Sequence, residues 1–324
     1  MSAVKAYSGF IPENTAIEGA KAIGVYKNGR RVGHVPLGPL KKDMGRKLYS
    51  FGAVSDIHLG YDTAVTDCQK AFEYYNNNED IAFLCICGDL TINGLREELE
   101  AYKSMVDTYI PDKTVYVSAG NHEEYSANSS EYYAEMIGRP LCYSFEHGDD
   151  LCIMCGVCGS WEDRYFEEGQ LAWLENLLKE NSNKRVFLFQ HIPTIEGSGG
   201  AKHYNPNCLN KATTSGTFKD LLRSYPNAIH FHGHTHFMFE RQEVDNMANY
   251  DYYFGAHSVH IPSLTVPRSG VDENGKVIGA PGLSQGYIVD VYENGIHLRG
   301  RDFINDVDIP IASYWLDTTI KTVE

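Results

Sequence analysis

The sequence predicts an α/β fold with its functional residues at strand ends, and three observations on this 324-residue chain point to it. Five runs of β-forming residues each end in a short polar motif. Helical patterns stand between several of these runs. One run, Ile81 to Cys87, is apolar almost without a break, as strands covered on both faces are. The motifs are Asp56-Ile57-His58, Gly88-Asp89, Gly120-Asn121-His122-Glu123, His191 and Gly233-His234-Thr235-His236. In open α/β sheets, binding crevices form beyond the carboxyl ends of the strands, which is where these residues fall.

Taken in order, Ile23 to Val35 reads as a hairpin around Asn28-Gly29, a type I′ turn signal. Pro36, Gly38 and Pro39 stop it, and a small basic cluster follows (Lys41, Lys42, Arg46, Lys47). Residues 1–50 are thus expected to be an N-terminal extension, either packed on the edge of the main domain or serving as a docking element. Residues 51–324 are expected to form the catalytic domain, because motifs from Asp56 to His236 must converge on one site. Phe51 to Asp56 is the first core strand and Asp62 to Asn76 a helix. After the strand Ile81–Cys87, Asn93 to Tyr109 carries Leu95, Leu99, Tyr102, Met105 and Val106 at helical spacing. Its Glu97, Glu98 and Glu100 read as a solvated face. Val115 to Ser118 is a strand, Ser130 to Ile137 a helix, and Tyr143–Glu146 and Leu151–Val157 a strand pair. Glu167 to Lys179 is an amphipathic helix with Leu171, Leu174, Leu177 and Leu178 inward, and Val186 to Gln190 delivers His191. The polar stretch from Glu196 to Gly216 shows no element, and loops so long usually line or cover a site. Helix Thr217–Ser224 leads to the strand before Gly233. Tyr252–Val266 and Gly286–Asp302, the latter turning at Asn294-Gly295, close the core.

Composition narrows the function. A formal net charge of −15 argues against a broad nucleic-acid surface, which needs clustered Lys and Arg. It leaves a phosphate substrate open, since nearby metal charge outweighs carboxylates beyond a Debye length of about 8 Å. No apolar run approaches the ~20 residues that span a bilayer. The first residues lack a signal-peptide core, and the eight cysteines show no disulfide spacing. The expectation is a cytoplasmic, reduced protein with no membrane partner. The sequence does not give an oligomeric state.

Imidazole with carboxylate suits Zn, Mn or Fe better than Ca or Mg, and there are more donors here than one ion needs. Taken alone, Asp56 could be a turn residue and Asn121 a cap; the joint pattern selects metal binding. The order of the five motifs resembles the calcineurin-like metallophosphoesterases, which read D-x-H, G-D, G-N-H-[DE], H and G-H-x-H. The resemblance covers roughly Ser50 to Phe303. Gly88-Asp89-Leu90-Thr91 before a Glu-rich helix, and Gly286-Tyr287 opening a late strand, look most like the bacterial cyclic-nucleotide and glycerophosphodiester phosphodiesterases. The resemblance implies a four-layer α/β/β/α sandwich of two β-sheets flanked by helices.

It also implies two divalent or trivalent metal ions (Mn, Fe or Zn). One would be bound by Asp56, His58, Asp89 and His236, the other by Asp89, Asn121, His191 and His234. Asp89 would bridge them, and His122 would be catalytic, assisting the leaving group. The implied function is hydrolysis of small phosphodiesters by in-line attack of a metal-bridging hydroxide. The alternatives are a phosphomonoesterase, or a scaffold of the same fold without turnover. A nuclease is disfavoured by the acidic balance.

Other histidines and cysteines read as structural. His230 and His232 alternate with Ile229 and Phe231, favouring packing or hydrogen bonds over ligation. His203, His257 and His260 are expected in loops beside the pocket. Cys152, Cys155 and Cys158 fail as a zinc site because strand side chains alternate, so Cys155 opposes the other two. Cys85 and Cys87 lie in a buried strand, where a thiol acts as a small hydrophobe.

Overall fold

The computed structural model describes residues 22–27, 30–36, 43–126, 129–157, 166, 169–194, 198–199, 215–241, 249–252, 256–272 and 276–318. Two six-stranded sheets dominate it. The first contains β3 (Lys47–Val54), β4 (Ile81–Cys87), β5 (Thr114–Ser118), β14 (Gln285–Tyr292), β15 (Gly295–Asp302) and β16 (Val307–Asp317), in the order β16-β15-β14-β3-β4-β5. The second contains β6 (Cys142–His147), β7 (Asp150–Cys155), β8 (Val186–Phe189), β9 (Ala228–His232), β10 (Tyr250–Asp251) and β11 (His257–His260), in the order β10-β11-β9-β8-β7-β6. Small two-stranded sheets pair β1 (Ala22–Lys27) with β2 (Arg30–Pro36), and β12 (Arg268–Val271) with β13 (Val277–Gly279). The helices are α1 (Ala64–Asn77), α2 (Arg96–Tyr109), α3 (Ser129–Ile137), α4 (Gln170–Glu180) and α5 (Ser215–Ser224).

The period of two along each strand sorts side chains into layers. On β4, Phe83, Cys85 and Cys87 face the other sheet, while Leu84 and Ile86 face the helices. On β8, Phe187 and Phe189 face inward, and Val186 and Leu188 face the helix side. The inter-sheet layer is aromatic. Phe51 stacks on Phe83 at 5.1 Å between ring centroids and meets Phe187 edge-on at 5.0 Å. Each such ring removed from water stabilises the fold by about 1.5–3 kcal/mol. A second core joins β3 and β4 to α1, α2 and α3, and a third joins β7, β8 and β9 to α4 and α5. Three apolar layers between four strata of structure make the predicted α/β/β/α sandwich.

Strands β3, β4 and β5 run parallel to one another, as do β7, β8, β9 and β11. The loops that follow β3, β4, β5, β8 and β9 carry the five motifs to one place. Among the described residues, no helix is long and apolar enough to cross a membrane.

Several expectations shift in detail. The early hairpin is present, with Lys27 paired to Arg30; its Asn28-Gly29 turn lies outside the described residues. From the basic cluster, Lys47 pairs with Asp290 at 3.1 Å and Arg46 with Glu293 at 3.4 Å. Helix α2 starts at Arg96, not Asn93. Glu98, read as a solvated residue, instead accepts the Asn93 and Leu95 backbone N–H groups at 2.9 and 3.2 Å and caps the helix. Helix α4 starts at Gln170, three residues later than its pattern. Tyr252–Val266 is not one strand, because beyond β11 the backbone turns to the β3 loop, where Leu264 N–H donates to Ser55 O at 2.9 Å. The β14–β15 turn is Glu293-Asn294. Strand β16 escaped the sequence reading because it holds Pro310, and it is tolerated there as an edge strand.

Candidate metal centre

Five of the expected ligands share an unusual backbone. Asp56, His58, Asp89, His234 and His236 all have positive φ, between 47° and 70°, and the only other described non-glycine residue with positive φ is Asp306. Each such residue costs of order 1–3 kcal/mol and persists where surrounding structure dictates it. Here the loops after β3 and β4 are laced together. Asp56 N–H donates to Gly88 O at 3.1 Å, His58 N–H to Asp89 O at 3.0 Å and Leu59 N–H to Leu90 O at 2.9 Å. Thr265 donates its hydroxyl to Ile57 O at 2.7 Å, and Ser55 donates to Cys87 O at 2.6 Å. Gly88 has φ +82°, and a β-carbon there would fall 2.5 Å from the His191 ring.

The structure brings the expected side chains together. Asp56, His58, Asp89 and His236 form one cluster and Asp89, His191 and His234 a second, with ligand atoms in each within 4.8 Å of one another. Asp89 belongs to both. His236 donates Nδ1–H to Val266 O at 3.2 Å, which turns the Nε2 lone pair inward. That Nε2 is 2.9 Å from Asp56 Oδ1 and 3.1 Å from His58 Nε2. His191 likewise commits Nδ1 to Cys87 O at 2.6 Å and faces Asp89 Oδ2 with Nε2 at 3.0 Å. At His236 the Nε2 acceptor is thus crowded against a carboxylate acceptor. Asn121 donates Nδ2–H to Tyr125 Oη at 2.7 Å, and its Oδ1 is buried without a hydrogen bond. His58 Nδ1, Asp89 Oδ2 and His191 Nε2 are also buried and make no hydrogen bond.

The charges require the same completion. Asp56 and Asp89 are fully buried, and among the described residues their only ion-pair partners are histidines. Burial pushes both carboxyls up, but the surrounding imidazoles, His236 and His191 for Asp56 and His191 and His122 for Asp89, hold both well below the usual range. Burial lowers His191, yet Asp89 and Asp56 carry it to about 10. Burial lowers His234 to about 3 and His236 to about 4, so both are neutral and able to ligate. Buried carboxylates of this kind are paired or coordinate metals. The orphaned acceptors, the neutral His234 and His236 and the shared carboxylate fit bound metal, and a cation beside Asp89 would take the place of the charge now carried by His191.

His122 stands beside this centre. Its Nε2 is 3.8 Å from Asp89 Oδ2, its ring is 4.6 Å from that of His58, and its Nδ1 is engaged by Ile92 O at 2.6 Å. Burial lowers its pKa.

Glu123 was visible only as the end of its motif. It is buried and accepts the Gly120 N–H at 2.7 Å and both the backbone and hydroxyl of Thr91 at 3.0 Å, tying the Asn121 loop to the Asp89 loop. Burial, with Asp89 nearby, raises it to about 7. A buried acid three residues after a loop glycine is the one local signal for this brace.

Away from the centre, His230 and His232 are buried and hydrogen-bond to Gln190 O at 3.0 Å and Ser198 Oγ at 2.9 Å, in keeping with a packing role. His257 and His260 are not in pocket loops but begin and end β11, where Tyr250 Oη and Phe237 O engage them at 3.0 and 2.8 Å. His203 and Cys158 lie outside the described residues. Cys152 faces the inter-sheet core and Cys155 the helix side, as strand alternation requires.

Among solved structures, the chain is similar to a purple acid phosphatase from yellow lupin (Lupinus luteus) seeds, with a TM-score of 0.59 and 11% identity over 88% of this chain and 56% of that one. A 5'-nucleotidase precursor from Thermus thermophilus aligns with a TM-score of 0.40 and 11% identity over 83% of this chain and 54% of that one. Vps29 from Chaetomium thermophilum aligns with a TM-score of 0.39 and 11% identity over 85% of this chain and 100% of that one. The likeness to the lupin enzyme is one of fold, and this chain spans little more than half of that protein's length. No curated protein sequence matches. The family model for calcineurin-like phosphoesterases matches residues 49–238, a span that holds His122 and every residue of the metal clusters. The chain therefore belongs to the calcineurin-like phosphoesterase family.

Proposed function

We propose that this protein hydrolyses a phosphate ester at a centre of two metal ions, and that its substrate is a small phosphodiester. The observation that carries this reading is the place of Asp89 in both ligand clusters, with buried acceptor atoms turned toward each. Asp56, His58, Asp89 and His236 would hold one ion, and Asp89, Asn121, His191 and His234 the other. Two such ions supply a nucleophilic oxygen at neutral pH and neutralise charge on the phosphoryl oxygens.

The chain's own groups do the rest. Asp89 offers two oxygens, one accepting the His122 backbone N–H at 3.1 Å and the other turned to His191. Asn121 contributes a neutral oxygen, which limits negative charge on its side of the centre. Because Nδ1 of His122 is engaged by Ile92 O, Nε2 is the atom at which the ring takes up and releases a proton. It faces the centre, where a departing alkoxide needs that proton. The preference for diesters rests on the Gly88-Asp89-Leu90-Thr91 and Gly286-Tyr287 resemblance.

The test is a turnover screen of cyclic nucleotides, glycerophosphodiesters and phosphomonoesters with Mn added, alongside metal analysis. Diesters are expected to be turned over fastest. Faster monoester turnover overturns the substrate class. Full metal loading without turnover of any ester points to a scaffold or binding protein.

A further inference from the structure

We propose that Cys142 and Cys155 are a peroxide-sensitive redox pair that closes into a cross-strand disulfide. They are direct partners across the antiparallel β6–β7 ladder, with Sγ atoms 3.3 Å apart. The next pair outward is hydrogen-bonded, Gly156 N–H to Leu141 O at 3.0 Å, so Cys142–Cys155 is a non-hydrogen-bonded pair. In such pairs the Cα atoms approach to about 4.5 Å, within the range a disulfide spans. Strand alternation puts both thiols on the helix-side face, whereas Cys152, three residues earlier, faces the opposite sheet.

The two thiols differ in access and surroundings. Cys142 is on the edge strand β6 and half-buried, while Cys155 is fully buried. The Gln170 side-chain N–H donates to Cys142 Sγ at 3.1 Å, which favours the thiolate. Cys142 is therefore the attacking residue and Cys155 the resolving one. The Cys142 thiol and hydrogen peroxide give a sulfenic acid and one water. The Cys155 thiol then attacks the sulfenic sulfur, forms the S–S bond and expels a second water. A dithiol reductant returns both thiols and is itself oxidised. The other described cysteines, Cys68, Cys85, Cys87 and Cys152, are fully buried, and burial pushes their thiols up, withholding thiolate. No metal cluster among the described residues uses Cys142 or Cys155.

The pair is close to the metal loops. Val157, two residues past Cys155, donates its N–H to Ala119 O at 3.0 Å, immediately before Gly120-Asn121. The chemistry of the pair is independent of the phosphoesterase reading.

The test is peptide mapping by mass spectrometry on the purified full chain, before and after a modest excess of hydrogen peroxide and after dithiothreitol. A Cys142–Cys155 disulfide should appear with peroxide and vanish with reductant. Cys155→Ser should trap Cys142 as a dimedone-reactive sulfenic acid, and Cys142→Ser should leave Cys155 as a thiol. Cys142 paired to a different cysteine, or both thiols unchanged while others oxidise, overturns the proposal.

Discussion

A β-carbon on Gly120 would stand 2.1 Å from Oδ1 of Asp89 and 2.4 Å from the Asp89 backbone nitrogen. The glycine before Asn121 is therefore a wall of the Asp89 pocket, set by close approach of two loops. Its own N–H is held by Glu123, so it cannot easily retreat.

Gly120→Ala should displace the Asp89 carboxylate while leaving the sheets folded. Metal affinity and turnover are expected to fall about 10–100-fold, the usual effect of disturbing a group that positions a ligand. Metal titration with circular dichroism checks this; wild-type affinity in a folded variant would mean that the loops separate freely.

Asp89→Asn removes the one carboxylate common to both clusters. Most bound metal and activity should be lost together. For the wild-type chain, a chelator should abolish turnover and Mn or Zn should restore it. Full activity after verified metal removal would refute the dimetal reading.

His122→Ala should keep its metals, since His122 is in neither cluster. If Nε2 supplies a proton to the leaving group, turnover of alkyl esters should drop about 10²–10⁴-fold. A nitrophenyl ester, whose leaving group departs unaided, should lose far less. Equal losses on both esters with depleted metal would assign His122 a structural role.

His230 and His260 should make the fold acid-sensitive. Both are fully buried, and burial lowers each to about 4, against an unfolded value near 6.5. Their folded form is neutral, so the stability they contribute is intact above about pH 6.5 and is lost as pH falls toward 4. The loss is up to about 1.4 kcal/mol per pH unit for each. Urea unfolding at pH 7, 6 and 5 should show the decline, and His230→Gln should flatten it. An unchanged slope in that variant would show that His230 does not charge on unfolding.

Cys142 and Cys155 illustrate the boundary of sequence reading. Alternation along β7 correctly separated Cys155 from Cys152, a local property of any strand. The neighbour of Cys155 could not be foreseen, because it depends on the β6–β7 register. The reading of Glu98 fails for a related reason. A glutamate in a first helical turn looks the same on the page whether it faces water or reaches back to cap, as it does to Asn93.

The sequence by itself determined which residues stand as candidate ligands. Apolar runs of period two stop at glycine and polar residues, and a strand must end where its ladder ends, so Asp56, Asp89, Asn121, His191 and His234 were legible as strand-end donors. Tertiary structure decided how those donors meet. The left-handed backbone at five candidate ligands, the membership of Asp89 in both clusters and the bracing of two loops by Glu123 depend on segments up to 180 residues apart, Asp56 to His236. Local propensity reaches only a few residues along the chain. The packing of one aromatic sheet face on another sets those separations, and no motif encodes it.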